Sequence, residues 1–168
     1  IDKDFNTTAK ENAQHSVIIH TYLKQLDIPT WTTYRLSSEQ TEVLMSCYGN
    51  KDHEHLIDMH DSYDIPELQD VEITNLEEAV HAFIDPIINS EYVVQCSEDS
   101  FFILYDSKQR KIRIIIGDMD SVRIDPPVPD AKQYNRQTAL RAINWIKIFT
   151  KFFVKDSSNL SEHEACLE

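Results

Sequence analysis

The chain has 168 residues, 29 acidic against 16 basic side chains, a formal net charge of −13 and 41% hydrophobic residues. That length and balance suit one globular domain, read here as residues 1–155 with a polar acidic tail over 156–168. The acidic excess argues against nucleic acid and against an anionic membrane surface, both of which call for clustered Lys and Arg, and it leaves room for a protein partner with a basic face.

In chain order, Thr8-Ala9-Lys10-Glu11 reads as a capping box, and Ala9, Ala13, Val17, Ile19, Leu23 and Leu26 recur at helical spacing to about Asp27, with Pro29 as the stop. His15 and His20 lie on this helix and read as exposed or internally satisfied positions. Residues 30–36 and 41–47 are β-rich runs around Ser37-Ser38-Glu39-Gln40, which predicts a hairpin with Trp31 and Tyr34 on opposite faces. Residues 49–70 are acidic and irregular. Their histidines, His53, His55 and His60, sit among carboxylates but match no metal-ligand spacing, so the stretch reads as a solvated linker.

Asn75 caps a second predicted helix whose stripe is Leu76, Ala79, Val80, Phe83, Ile84, Ile87 and Ile88, with Pro86 inside it. A polar segment over 92–100 leads into a strand, Phe101–Tyr105, a turn over 106–110 and a second strand, Ile112–Ile116. That second run of β-branched residues ends in Gly117-Asp118-Met119-Asp120-Ser121. Pro126, Pro127 and Pro129 mark a rigid loop before a third helix from about Asp130 to Lys155, with Leu140, Ile143, Ile146, Phe149, Phe152 and Phe153 as its apolar positions. Cys47, Cys96 and Cys166 are odd in number and widely spaced, which fits a reducing compartment. With no visible signal peptide or membrane-length apolar run, the expectation is a cytoplasmic protein, or one delivered into a host cell without a cleavable signal. Gly49 and Gly117 are the only two glycines, so there is no glycine-rich phosphate loop.

Asp118 and Asp120 carry the chemistry. On an ideal strand they point to opposite sides, but a break at Gly117 lets both turn toward one cation. Hard carboxylate oxygens suit Mg²⁺, which takes one or two carboxylates and completes its shell with phosphates and water. The order helix, hairpin, linker, helix, polar segment, hairpin, Asp-x-Asp, loop and helix resembles the protein-kinase-like fold. The expected fold class is therefore α+β and kinase-like, with a partial small-lobe helix and hairpin followed by a mostly helical large lobe. Gly117-Asp118-Met119-Asp120-Ser121-Val122-Arg123 is similar to the "IDFDxxR" element of small bacterial kinases, nearest to the lipopolysaccharide-core sugar kinase family, and Asn135–Trp145 resembles that family's following "RxxNLxRLxRSLxK" helix.

That resemblance implies Mg²⁺ and ATP as cofactors, Asp118 as a catalytic, cofactor-binding and metal-holding residue, and Asp120 as its supporting neighbour. It places the nucleotide-covering loop and its Lys upstream of Ile1, and makes Glu11 the nearest candidate for the helix carboxylate that pairs with that Lys. Aligning the family's "HxDxxxxNILLD" on Phe102-Ile103-Leu104-Tyr105-Asp106 puts Gln95 at the His, Ser97 at the catalytic Asp and Phe102 at the metal-binding Asn. Glu98 or Asp99 can stand in for the catalytic Asp only if that loop is re-registered. The resemblance thus implies a kinase-like domain with a degenerate catalytic loop, a pseudokinase or interaction module rather than a phosphotransferase. Two alternatives stand beside it. "GDMDS" is also similar to the "GDFDS" element of thiamine pyrophosphokinases, whose preceding "DGGA" is absent here; such an enzyme would use Asp118 and Asp120 for metal and pyrophosphate. An acidic α+β effector or inhibitor would use the two aspartates only to cap a strand end.

Overall fold

A computed structural model of the chain describes residues 3–58 and 70–153, with side chains over 8–58 and 70–151. Helix α1, Lys3–Gln25, starts upstream of Thr8, so the expected capping box lies inside the helix. A Thr within a helix costs only up to about 0.7 kcal/mol relative to Ala, too little to impose a start. Ala13, Ser16, Ile19, His20 and Leu23 are its buried positions, so the seam carries two polar side chains. The helix ends at Gln25, just short of the expected Asp27: Asp27 takes a left-handed φ of 58°, and the Ile28 N–H turns back onto the Leu23 carbonyl at 2.9 Å.

Strands β1, Tyr34–Leu36, and β2, Val43–Met45, form the expected antiparallel hairpin, shorter than the sequence implied. The missing residues are committed elsewhere. Thr30 pairs in parallel with Ile116, and Trp31 is buried ahead of the strand, so the two-residue period does not govern its side chain. Strand β3, Glu54–Ile57, falls inside the stretch read as irregular and pairs antiparallel with a later strand, with Ile57 fully buried. The linker reading fails here because a Glu-His pair hides the strand and its partner lies some fifty residues on, beyond the reach of local pattern. His53 and His55 belong to this region, and His55 stacks on Tyr105 at 6.0 Å, while His60 lies outside the described residues.

Helix α2, Leu76–Asn89, buries Ala79, Val80, Phe83, Ile84 and Ile87 as its stripe predicts. Pro86 stays within the helix; the carbonyl it leaves without an N–H belongs to Ala82, which is exposed. Asn75 precedes the helix, yet its side chain makes no cap bond. The carboxamide instead bonds the backbone of a neighbouring strand.

Strand β4, Val93–Cys96, is followed by a 3₁₀ turn, Glu98–Ser100, and by the hairpin of β5, Phe101–Asp106, and β6, Lys111–Ile116. A second 3₁₀ turn, Met119–Ser121, leads into β7, Val122–Asp125, which pairs antiparallel with β4 from Val93–Asp125 to Cys96–Val122. Helix α3, Ala131–Phe153, closes the described chain. The sheets are thus β3-β5-β6, β4-β7 and β1-β2, so the described residues form three helices and small antiparallel sheets, an α+β arrangement. The second half is not mostly helical: two helices flank four strands, because the polar segment and the residues after the Asp-x-Asp element form β4 and β7.

One core joins all three helices to the two larger strand groups, through Leu23, Phe83, Phe101, Ile115 and Ile146 among others. Asn135 on α3 is fully buried and locks that helix to β4: its carboxamide accepts from Val94 N at 2.8 Å and donates to the Tyr92 carbonyl at 2.8 Å. Thr138 adds a bond to the Val94 carbonyl at 2.7 Å. The stretch over 156–168 lies outside the described residues, as do the side chains of Phe152 and Phe153. Among the described residues no helix is long and apolar enough to cross a membrane.

Candidate functional site

The site is the end of β6. Two segments distant in sequence, residues 29–31 and the turn that ends at Ser100, converge on it and hold its backbone. The Ile116 N–H donates to the Pro29 carbonyl at 3.0 Å, Thr30 Oγ1 donates to the Ile116 carbonyl at 2.7 Å, and the Trp31 indole N–H donates to the Gly117 carbonyl at 2.9 Å. From the other side, the Gly117 N–H donates to the Ser100 carbonyl at 2.8 Å, and Ser100 Oγ lies 2.5 Å from Ser121 Oγ. The two 3₁₀ turns are therefore packed together, and the strand end is fixed between them and the segment that follows α1.

Asp118 and Asp120 stand on this fixed turn. Asp118 is half-buried and caps the second 3₁₀ turn, its Oδ1 accepting the Asp120 N–H at 3.1 Å. Asp120 is exposed, and its Oδ1 accepts from Ser16 Oγ of α1 at 3.4 Å. After Gly117 the two aspartates stand on one turn, Asp118 as its cap and Asp120 within it. The Tyr34 hydroxyl is held above its ordinary pKa, first by burial and then by the charges of both Asp120 and Asp118, against the lowering effect of its bond with Ser16. Tyr34 stacks on His20 at 4.9 Å, and His20 Nε2 donates to the Trp31 carbonyl at 2.7 Å. The polar side chains in the α1 seam thus serve this strand end.

Asp99 is exposed on the first 3₁₀ turn beside Glu98, adjacent to the turn that bears Asp118 and Asp120. Ser97 is exposed and precedes that turn without a side-chain cap, and Gln95 is half-buried in β4 opposite Arg123. Glu11 is exposed on α1. Phe102 is the decisive neighbour. Its ring lies so close to Gly117 that a Cβ there would collide with Cδ2 and stand 2.6 Å from Cε2. Trp31 meets the same ring edge-on at 6.1 Å. Gly117 is therefore a glycine because a ring occupies the space of its side chain, not because of its φ.

For Mg²⁺ carrying a nucleotide, the donor set is thin. Asp118 and Asp120 supply carboxylates, each with one oxygen already accepting a hydrogen bond, and the Phe102 ring packed on Gly117 supplies no donor atom. Among the described residues no three His, Cys, Asp or Glu side chains are grouped to hold a metal ion. Sequence reading missed Ser16, Thr30, Trp31, Ser100 and Ser121, all of which brace the site through contacts between distant residues. The one local hint was polarity at Ser16 and His20 in an otherwise apolar helix seam.

No protein-family model, no curated protein and no solved structure matches the chain.

Proposed function

We propose that this is a kinase-like domain with a degenerate catalytic loop that works by binding a protein partner rather than by transferring phosphate. The Phe102 ring carries the reading. It packs on Gly117 at the foot of the Asp118 turn, and the resemblance aligns Phe102 with the amide that holds the metal in a phosphotransferase of this layout. The position of the base that orients an attacking hydroxyl is held by Ser97, and re-registering the loop onto Asp99 would have to disturb Ser100, whose carbonyl accepts the Gly117 N–H and whose hydroxyl is paired with Ser121. The net charge of −13, with Glu98, Asp99 and Asp120 exposed on adjoining turns, supports a partner with a basic face. The order of a helix, a short hairpin, a second helix, and a strand pair that delivers Asp118 ahead of a third helix supports the kinase-like layout, while β3, β4 and β7 are additions to it.

A second reading keeps Mg²⁺ and ATP as ligands without transfer, and the placement of Asp118 and Asp120 on one short turn favours it. Thermal unfolding with Mg²⁺ and ATP separates the two. A ligand at about a hundred times its Kd adds about 2.7 kcal/mol. A rise in Tm that Asp118→Asn removes assigns the aspartates to a nucleotide-binding pseudokinase. An unchanged Tm leaves protein binding, which then weakens as salt is raised. Phosphate transfer dependent on Asp118 would refute the proposal in both forms.

A further inference from the structure

The outer edge of β6 is closed position by position, except at one. Its outward-facing residues alternate, as an antiparallel strand requires. The Arg110 carbonyl accepts from Thr74 N at 2.9 Å, and the Ile116 N–H and carbonyl are taken by Pro29 and Thr30. At Ile112 a single carboxamide does both jobs: Asn75 Oδ1 accepts from the Ile112 N–H at 2.8 Å and Asn75 Nδ2 donates to its carbonyl at 2.9 Å. Ile114 lies between, with the same outward direction, is 2% exposed, and among the described residues nothing bonds its N–H or carbonyl. Buried backbone groups are rarely left in that state.

A cavity of about 170 Å³ opens at this gap, lined by Pro29, Ala79, Ala82, Ile112 and Ile114 on its apolar side and by Asn75, Glu78 and Arg113 on its polar side. A volume of about 150 Å³ is enough to hold a benzene ring. The alanines of α2 leave the room and the isoleucines and proline supply apolar walls.

We propose that this cavity is a binding site for a small planar ligand carrying a primary or cyclic amide, which pairs with the Ile114 N–H and carbonyl as the Asn75 carboxamide pairs with Ile112. The amide accepts through its oxygen and donates through its nitrogen, and an attached ring of benzene size lies against Ala79, Ala82 and Pro29. The site is separate from the Asp118 turn and does not depend on the function proposed for it.

Benzamide and N,N-dimethylbenzamide are the probes, titrated into the full chain while amide resonances are followed by NMR. Benzamide is expected to shift the Ile114 amide saturably. The dimethyl compound, which keeps the ring and the acceptor but lacks the donor, is expected to bind at least about tenfold more weakly. Ala82→Leu places a larger side chain at an exposed, helix-compatible position on the cavity wall and is expected to weaken benzamide by a similar factor with the fold intact. An Ile114 resonance that does not move, equal binding of the two probes, or undiminished binding by a folded Ala82→Leu variant would each overturn the assignment.

Discussion

Replacing Gly117 by Ala tests the packing that shapes the candidate site. The new Cβ would stand 2.6 Å from Phe102 Cε2 and closer still to Cδ2, against an optimal carbon separation of about 3.5–4.0 Å. The ring must therefore retreat by about 1 Å or leave its rotamer, and Trp31, edge-on to the same ring and bonded to the Gly117 carbonyl, resists the retreat. Overpacking of this kind costs about 1–3 kcal/mol. For a chain of this size each kcal/mol lowers Tm by about 2–4 °C, so a fall of about 4–8 °C is expected for a cost near the middle of that range. Phe102→Ala removes the obstacle. The double variant should then be more stable than the sum of the single effects predicts, by about 1–2 kcal/mol, as measured by urea unfolding. Additivity within about 0.5 kcal/mol, or a Gly117→Ala protein as stable as the parent, would mean that the ring does not occupy the space assigned to it.

Three further outcomes follow from the same contacts. Asn75→Ala leaves the Ile112 N–H and carbonyl without their partner and should cost about 2–3 kcal/mol in urea unfolding, well above the loss of an ordinary helix cap in an exposed position. Asn135→Ala, which strips α3 of its bonds to Val94, Ser90 and Tyr92, should cost about 3 kcal/mol or more, whereas the neighbouring exposed Arg136→Ala should stay within about 0.5 kcal/mol. Burial pushes the Cys96 thiol from 9.0 up to about 12 against the opposing charge of Arg141, and burial likewise pushes Tyr48 from 10.0 up to about 12. The folded state therefore keeps protons that the unfolded chain releases, so stability is fully present below about pH 9 and falls as pH rises toward 12. A thiol reagent at pH 8 should label exposed Cys47 and leave Cys96 unlabelled until the protein is unfolded. Rapid labelling of native Cys96, or a Tm that does not fall between pH 9 and 12, would contradict this.

The elements that could be read from the sequence are those whose pattern is local. The α2 stripe, the Phe101–Ile116 hairpin and the third helix each carry their own period, and all three stand where expected. Strands β3, β4 and β7 were missed because each acquires its identity from a partner far along the chain: Glu54-His55 pairs with Tyr105-Asp106, and Val93–Cys96 with Val122–Asp125. Asn75 shows the same limit in one residue. Its type and position before a helix predict a cap, yet its carboxamide is drawn to the edge of β6, which no local rule foresees. At the site, the Asp-x-Asp pair and its glycine were visible, as was Phe102 at the place of an expected ligand. What the ring does to Gly117, and how Ser16, Trp31 and Ser100 hold the turn, depends on packing between segments up to about a hundred residues apart.

We propose that the Asp118 turn belongs to a kinase-like domain that does not transfer phosphate, a proposal that phosphate transfer itself decides. Its most direct test is incubation of the full chain with γ-labelled ATP and Mg²⁺ or Mn²⁺, scoring label on the protein and free phosphate against an Asp118→Asn control. Equal, background-level signal from both proteins is expected. Transfer well above background that Asp118→Asn abolishes would contradict it, and a further loss on replacing Asp99 would show that the re-registered loop is the catalytic one.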